Sequence, residues 1–227
     1  MNPVLRGSAA HVFVESLAAP QLTTEDDHHL RRVLRIRESD VITISDGIGS
    51  WVTATLEGDG LHIASHPVAE PAQRPATIFS ALPKGDRVEW IVQKLTEIGA
   101  TSIGFIECSR SIVHWDEERS RRQVARLRRV AREAAMQSRR VWLPEILDVV
   151  PFSVAATQRP GCALADPAGI DEIGSDIDTV LIGPEGGFTA AELDLVARHV
   201  ALSTNVLRVE TAALVAGILL TLRHESE

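Results

Sequence analysis

Residues Leu181–Thr189 have the sequence LIGPEGGFT, in which three glycines and a proline separate an apolar run from the start of a helix. The run Thr179–Ile182 predicts a buried strand, and Thr189 with Glu192 predicts a capping box at the following helix. Glycines at such a junction bring backbone N–H groups close to a ligand, and α/β proteins form binding crevices there. The alternative is a tight turn whose glycines only supply positive φ angles.

Composition indicates a globular protein with one large domain or two small ones. The chain has 227 residues, of which 44% are hydrophobic and 24% charged. It contains no apolar segment of about 20 residues and no apolar signal core near its first residue, so we predict a cytoplasmic protein with no membrane span. Cys108 and Cys162 are far apart in the sequence, which predicts free thiols and no zinc site.

The charge is unevenly distributed along the chain. The net charge is −8, yet the segment Arg119–Arg140 contains nine arginines opposed only by Glu133. This segment therefore carries about +8 and the remainder about −16, by the same counting of charged side chains. A second basic cluster comprises Arg31, Arg32, Arg35 and Arg37. A solvated helix face with surface ion pairs is one interpretation, but charges of one sign repel along a helix and favour a polyanionic partner, RNA or DNA.

The first 66 residues are predicted to be mostly short strands that form a small β-barrel. The predicted strands are Ala10–Val14, Val41–Ile44, Trp51–Leu56 and Leu61–Ala64. In the third of these, alternation places Val52, Ala54 and Leu56 on one face. One helix interrupts the strands, with Thr24 as its cap and Leu30, Val33 and Leu34 as its buried stripe.

After a proline-containing linker at Pro67, Pro71 and Pro75, strands and helices alternate. This alternation predicts a mainly parallel sheet covered by helices. The predicted strands are Thr77–Leu82, Ser102–Ile106, Cys162–Ala165 and Thr179–Ile182. The predicted helices are one between Asp86 and Gly99, the arginine-rich helix capped by Asp116, and one at about Thr211–Arg223. The last helix is apolar nearly all round, which predicts burial in the core or in a dimer interface.

Several segments together resemble one enzyme family. They are HLRRVLR at His29–Arg35, QKLTEIG at Gln93–Gly99 together with Lys84, Gln137 with Arg140, PEI at Pro144–Ile146, LIGPEGG at Leu181–Gly187, and VLRVETA at Val206–Ala212. The chain resembles the bacterial ribosomal RNA small-subunit methyltransferase E family over most of its length. The last two motifs occurring together are highly specific to that family.

The resemblance implies an α/β fold with two domains. Residues 1–70 would form a PUA-like RNA-binding β-barrel, and residues 74–227 a SPOUT methyltransferase domain with a C-terminal trefoil knot, an exception to the rule against knots. It also implies a homodimer that uses S-adenosylmethionine to methylate N3 of a uridine in 16S ribosomal RNA, free or within the small ribosomal subunit, without a metal. The implied donor-binding residues are Leu164, Ile182, Gly183, Pro184, Gly186, Gly187, Leu202, Val206 and Leu207.

Two residues beside the expected donor loop are candidate catalytic residues. Methyl transfer at N3 requires a deprotonated base, so a cation or a proton acceptor nearby assists it. Arg208 would stabilise the uridine anion or a phosphate. Glu210 would accept the proton or hold Arg208; the alternative is a carboxylate that only stabilises the helix N-terminus. The candidate RNA-binding residues are Arg31, Arg32, Arg35, Lys84 and Arg140.

The chain also departs from the family's pattern. Ser203 and Asn205 stand where the resemblance leads us to expect glycine and arginine, and Met136 stands where glutamate is common. Two competing hypotheses therefore remain open at this point. One is a non-catalytic RNA-binding ribosome-assembly factor with a degenerate donor site, and the other is a small-molecule nucleotide enzyme that uses the glycine loop.

Overall fold

The structure, a computed structural model, describes residues 2–58 and 60–222, and it divides into two compact units. The first unit comprises Met1–Gln73 and Arg132–Leu143, and the second comprises Arg74–Ala131 and Pro144–Glu227. The sequence-predicted domains, 1–70 and 74–227, are consecutive segments, whereas the contacts group Arg132–Leu143 with the N-terminal residues. None of the helices in the described ranges combines the length and the apolar character needed to cross a membrane.

The first unit is built around a mixed five-stranded sheet. Its elements are α1 (Pro3–Gly7), β1 (His11–Phe13), α2 (Thr24–His28), β2 (Ile42–Ser45), β3 (Ser50–Glu57), β4 (Gly60–Ile63) and β5 (Val68–Ala69). The strand order is β1-β2-β3-β4, with β5 also paired to β3, and only the β1–β2 pair is parallel. Within residues 2–58 and 60–222 the ladder has β1 and β4 at its ends, and no pairing closes it into a barrel.

Alternation along β3 is confirmed. Val52, Ala54 and Leu56 are at most 1% exposed and pack in one cluster with Ile42 and Ile44 of β2. A strand with one face on the core must place every second side chain inward.

The prediction for the basic helix was wrong in two respects. Thr23, not Thr24, caps α2 by accepting from the Asp26 N–H. A five-residue π-helical turn, His29–Val33, follows α2, and of the predicted stripe only Leu30 is buried. Val33 and Leu34 are 59% and 45% exposed. A π turn contains more residues than an α turn, so it rotates the side chains that follow it out of the 3.6-residue pattern on which the prediction relied.

The second unit contains a seven-stranded sheet in which every pair is parallel, as predicted. The strands are β6 (Thr77–Ala81), β7 (Ser102–Glu107), β8 (Glu145–Ile146), β9 (Val150–Pro151), β10 (Cys162–Ala165), β11 (Thr179–Ile182) and β12 (His199–Val200). Their order is β12-β10-β11-β6-β7-β8, with β9 also paired to β7. Because all of these strands run in the same direction, their carboxyl ends lie along one edge of the sheet.

Helices of the second unit bury their apolar faces on this sheet. They are α3 (Arg87–Ile98), α4 (Glu117–Gln137, of which the residues up to Ala131 belong to this unit), α5 (Phe152–Thr157), α6 (Ala190–Leu193) and α7 (Val209–Leu222). Two predicted helix ends are confirmed. Gly99 ends α3 with φ +104°, and the Asp116 carboxylate accepts from the Arg119 N–H at the start of α4. The predicted last helix end, Arg223, lies outside the described residues.

Helix α7 has one buried face and one exposed face. Ala212, Ala213, Ala216 and Leu220 pack into the main core of the second unit. Ile218, Leu219 and Leu222, in contrast, are 36%, 42% and 67% exposed. The exposed leucines and isoleucine leave an uncovered apolar surface on this unit.

The last part of α4 and the residues after it belong to the first unit, and their arginines have structural roles there. Arg132 donates to both carboxylate oxygens of Asp26, at 3.0 and 2.7 Å, and to the Phe13 carbonyl. Arg139 donates to the carbonyls of Ser8 and Ala9. These two arginines therefore connect the segment to the rest of the first unit instead of presenting their charge to a partner.

Candidate functional site

The carboxyl ends of β10 and β11 and the segment after β12 surround a cavity of about 490 Å³ in the second unit. This volume falls in the range of roughly 300–1,000 Å³ that is typical of small-molecule sites. The three strands are neighbours in the sheet and run parallel, which brings their carboxyl ends together. The lining residues are Ala165, Asp166, Pro167, Ile182, Gly183, Pro184, Glu185, Gly187, Phe188, Leu193, Leu202, Ser203, Asn205, Val206, Leu207, Arg208, Val209 and Ala212.

The glycine loop Gly183–Thr189 forms one wall of the cavity, and two of its three glycines, Gly183 and Gly187, are required by the geometry of that wall. A Cβ on Gly183 would lie 3.0 Å from the ring of Phe188, which folds back over it. Gly187 has φ +68° and donates to the Pro184 carbonyl at 2.8 Å, which closes a β-turn. The predicted capping box follows, with Thr189 and Glu192 bonded reciprocally. The glycines therefore serve the turn and also leave backbone at the cavity wall.

The segment Leu202–Arg208 forms the opposite wall. The Ser203 hydroxyl accepts from the Asn205 N–H at 3.1 Å, so this side chain stabilises its own loop. The cavity of about 490 Å³ has Ser203 and Asn205 in its lining. The departures from the family's pattern therefore leave room for a ligand.

The charged lining residues are two carboxylates and one arginine. Asp166 lies at the end of β10, with one carboxylate oxygen 3.2 Å from Nδ1 of His199 and the other accepting from the Ala168 N–H. Glu185 is exposed at the glycine loop. The exposed Arg208 side chain makes no hydrogen bond or ion pair with any residue in the described ranges. The site thus offers negative charge for a cationic ligand and an unpaired cation beside it.

Seven of the nine predicted donor-binding residues line the cavity: Ile182, Gly183, Pro184, Gly187, Leu202, Val206 and Leu207. The other two do not. Leu164 is fully buried in the core, one residue before the strand end that reaches the cavity. Gly186 turns its carbonyl to the guanidinium of Arg110.

The two predicted catalytic residues lie in different surroundings. Arg208 lines the cavity, whereas Glu210 does not. One oxygen of the Glu210 carboxylate lies 3.5 Å from Nε of Arg87, and the side chain is only 15% exposed. Glu210 occupies the first turn of α7, where a carboxylate stabilises the helix N-terminus. This position agrees with the structural alternative considered for Glu210.

The predicted RNA-binding residues lie in different places. Arg32 and Arg35 are exposed on and just after the π-helical turn, and Arg35 has φ +54°, which is unusual for a residue other than glycine. Arg31 donates to Asp27 at 2.6 Å and is partly buried. Lys84 is exposed in the loop after β6.

Arg140, the fifth candidate, lies inside the first unit. It is 9% exposed, donates to the Gln73 side chain, and burial lowers its pKa to about 10. The prediction that it contacts RNA assigned a surface role to a side chain that the structure buries. Sequence spacing alone does not distinguish a surface arginine from a buried one.

Sequence reasoning missed eight lining residues: Ala165, Asp166, Pro167, Glu185, Phe188, Leu193, Val209 and Ala212. For Asp166 and Pro167 a signal was present, because the predicted strand Cys162–Ala165 ends directly before them and a parallel neighbour of Thr179–Ile182 must end at the same edge. Phe188 and Leu193 reach the cavity through tertiary packing, for which the sequence carries no comparable signal.

Comparison with known proteins places this geometry in a family. Residues 70–221 match the family model of the RNA methyltransferase domain, and residues 22–63 match that of the RNA methyltransferase PUA domain. A Bacillus subtilis protein named ribosomal RNA small subunit methyltransferase E is 30% identical, with 89% of this chain and 90% of the relative covered.

Two solved structures are similar over nearly the whole chain. The Neisseria gonorrhoeae ribosomal RNA small subunit methyltransferase E, bound to S-adenosyl methionine, is 27% identical with a TM-score of 0.78, covering 92% of this chain and 95% of its own. A methyltransferase structure from Legionella pneumophila, in complex with the bound cofactor SAM, is 25% identical with a TM-score of 0.80, covering 92% and 96%. The chain therefore belongs to the ribosomal RNA small subunit methyltransferase E family.

Proposed function

We propose that this protein is an S-adenosylmethionine-dependent methyltransferase that modifies N3 of a uridine in 16S ribosomal RNA in the cytoplasm. The observation that carries the proposal is the cavity of about 490 Å³ at the carboxyl ends of β10 and β11, with Arg208 in its lining and unpaired with any described residue. The family relationship supports the same reaction. The glycine loop and the segment Leu202–Leu207 are its proposed donor-binding walls.

The cavity fits such a donor in size and in charge. When bound, S-adenosylmethionine supplies a methyl group on a sulfonium cation, whose C–S bond breaks as the N3–C bond forms. Asp166 and Glu185 place negative charge in the lining, which favours a cation. Leu202 and Leu207, which are partly buried against the main core, give part of the wall an apolar surface.

Arg208 is the proposed catalytic residue. Its guanidinium has no competing partner in the described part of the chain, so it is available to a negative charge that develops on the substrate. A uridine that has lost its N3 proton to solvent water carries such a charge. Glu210 lies outside the cavity lining and in the first turn of α7, with one oxygen 3.5 Å from Arg87 and the other without a hydrogen-bond partner in the described residues, so we assign it no part in proton transfer.

We propose two domains with separate tasks, a PUA-like RNA-binding β-barrel in residues 1–70 and a SPOUT domain with a C-terminal trefoil knot in residues 74–227. The parallel sheet of the second unit, with α7 packed against β6 and β11, supports the second assignment.

The uncovered side chains of Ile218, Leu219 and Leu222 support a homodimer. N3 lies on the pairing edge of the base, so the target uridine must be unpaired or extruded.

Mass mapping of 16S ribosomal RNA tests the function. Small ribosomal subunits from a strain that lacks this protein are incubated with the purified protein and S-adenosylmethionine, and the RNA is digested and sequenced by mass spectrometry. We expect a gain of one methyl group at a single uridine, at N3. Donor binding by calorimetry without any methyl gain would contradict the reaction, and absence of both would favour the non-catalytic assembly factor.

A further inference from the structure

The loop after β7, Cys108–Ser111, is hydrogen-bonded to the glycine loop and to α6, the helix that follows it. The Arg110 guanidinium donates to the carbonyls of Gly186 and Phe188 at 3.0 and 3.1 Å. The Ser109 N–H donates to one oxygen of the Glu192 carboxylate at 2.7 Å. Arg110 is not among the cavity-lining residues, yet both of its partners belong to the loop that forms the cavity wall.

These contacts fix two peptide planes of the wall, with one further plane between them. In the plane between Gly186 and Gly187, Arg110 holds the carbonyl while the N–H donates to Pro184. In the plane between Phe188 and Thr189, Arg110 holds the carbonyl while the N–H donates to Glu192 at 2.8 Å. Neither peptide can rotate without breaking a hydrogen bond on both sides.

Close packing accompanies the hydrogen bonds. A Cβ on Gly186 would lie 3.3 Å from the Cβ of Arg110, so glycine at this position permits the approach of the two loops. The other anchor, Glu192, is 6% exposed. Burial opposes its ionisation, but hydrogen bonds from Thr189 and Ser109 outweigh that effect and lower the pKa of Glu192. The charged form of Glu192 is therefore part of the same framework at neutral pH.

We propose that Arg110 is a positioning residue for donor binding: it holds the glycine loop in the shape that the cavity requires before the donor arrives. This inference rests on the proposed function of the cavity and adds to it a residue that does not line it. Binding to a preformed wall avoids the cost of ordering the loop at the moment of binding. Because the Arg110 side chain is exposed and bonds mainly to this loop, its removal should affect donor affinity more than folding.

The test compares Arg110→Ala, Arg110→Lys and Arg198→Ala with the wild type. Arg198 is a matched control, because it is an exposed arginine of the same unit whose side chain pairs with Asp176, away from the cavity lining. Calorimetry measures the dissociation constant of S-adenosylmethionine, and methyl-transfer assays separate kcat from KM. We expect about a tenfold weaker donor binding in Arg110→Ala, an intermediate value in Arg110→Lys, and an unchanged kcat at saturating donor.

Hydrogen–deuterium exchange without donor gives a readout that does not depend on activity. The amides of Gly187 and Thr189 should exchange faster in Arg110→Ala than in Arg198→Ala, with the remaining core amides unchanged. Equal donor affinity and equal exchange in all variants would overturn the positioning role of Arg110. If the wild type binds no donor at all, the proposed function of the cavity fails instead, so the two failures are distinguishable.

Discussion

Arg208 is an exposed cation that no other described residue neutralises, which gives a direct prediction for catalysis. Arg208→Ala should lower kcat by about 100-fold, because the negative charge that forms on the substrate loses its stabilising partner. The dissociation constant of S-adenosylmethionine should change less than threefold, roughly the effect of losing one exposed side chain that does not hold the donor. Retained turnover in this variant would remove Arg208 from the mechanism.

Glu192 is the residue whose ionisation should contribute most directly to the shape of the glycine loop. Its pKa is lowered in the folded protein, so its stabilising contribution is present above its unfolded pKa and is lost as the pH falls through the folded value. Glu192→Gln should therefore lower the free energy of unfolding by about 2 kcal/mol at pH 7. The difference from wild type should shrink below about pH 4.3.

Urea unfolding of the wild type and of Glu192→Gln between pH 3 and pH 7 measures the difference in their free energies of unfolding. The other carboxylates that titrate in this range contribute equally to both proteins, so their effects cancel in the difference. A stability gap that does not change with pH would show that the charge of Glu192 does not matter. Glu192 was expected from its spacing to Thr189 alone, whereas its bond to Ser109, 83 residues away in the chain, is a tertiary contact that spacing cannot indicate.

At the scale of the element, the π-helical turn His29–Val33 presents Arg32 and, just after it, Arg35 to solvent. The variant Arg32→Gln/Arg35→Gly removes both charges, and glycine suits the positive φ at position 35. If each arginine contacts a phosphate, the slope of log K against log salt for RNA binding should fall by about 1.5 in magnitude.

Fluorescence anisotropy with a 16S ribosomal RNA fragment, titrated at several salt concentrations, measures that slope. Arg6→Gln is the matched control, because Arg6 is an exposed arginine of the same unit in the last turn of α1. A slope that changes equally in both variants would mean that the turn contributes only general positive charge.

The elements that the sequence could predict are those with a regular period and a local end signal. The buried positions of strand β3 and helix α3 follow the period of each element, and Gly99 directly after α3 is its local end signal. The π-helical turn His29–Val33 lacks a regular helical period, because its geometry rotates the side chains after Leu30 and exposes Val33. The glycine motif predicted a ligand site, but its donor-binding residues were implied only by the family resemblance, and Leu193 required the packed structure.

At the scale of the whole molecule, the arginine-rich segment has two roles that its composition could not separate. Arg121, Arg122 and Arg126 remain exposed and pair with carboxylates of the second unit. Arg132, by contrast, bonds within the first unit to Asp26. The predicted repulsion along the helix is thus partly relieved within the chain. Glu117 and Glu118 lie one helical turn from their arginines, and tertiary packing adds Glu89 and Asp26. Only the exposed arginines remain candidates for a phosphate-binding face.

The apolar face of α7 makes a prediction about assembly. Leu219 is 42% exposed and lies with Ile218 and Leu222 on a surface that also lines a second cavity of about 370 Å³. If a second copy covers this surface, Leu219→Glu buries an unpaired charge at the interface and should convert a dimer to a monomer. Light scattering coupled to size-exclusion chromatography measures the mass. Val41→Glu, which changes a 45% exposed valine of the first unit, should leave it unchanged. A wild type that is monomeric at micromolar concentration would refute the proposed homodimer, because no stable interface would then exist for the substitution to disrupt.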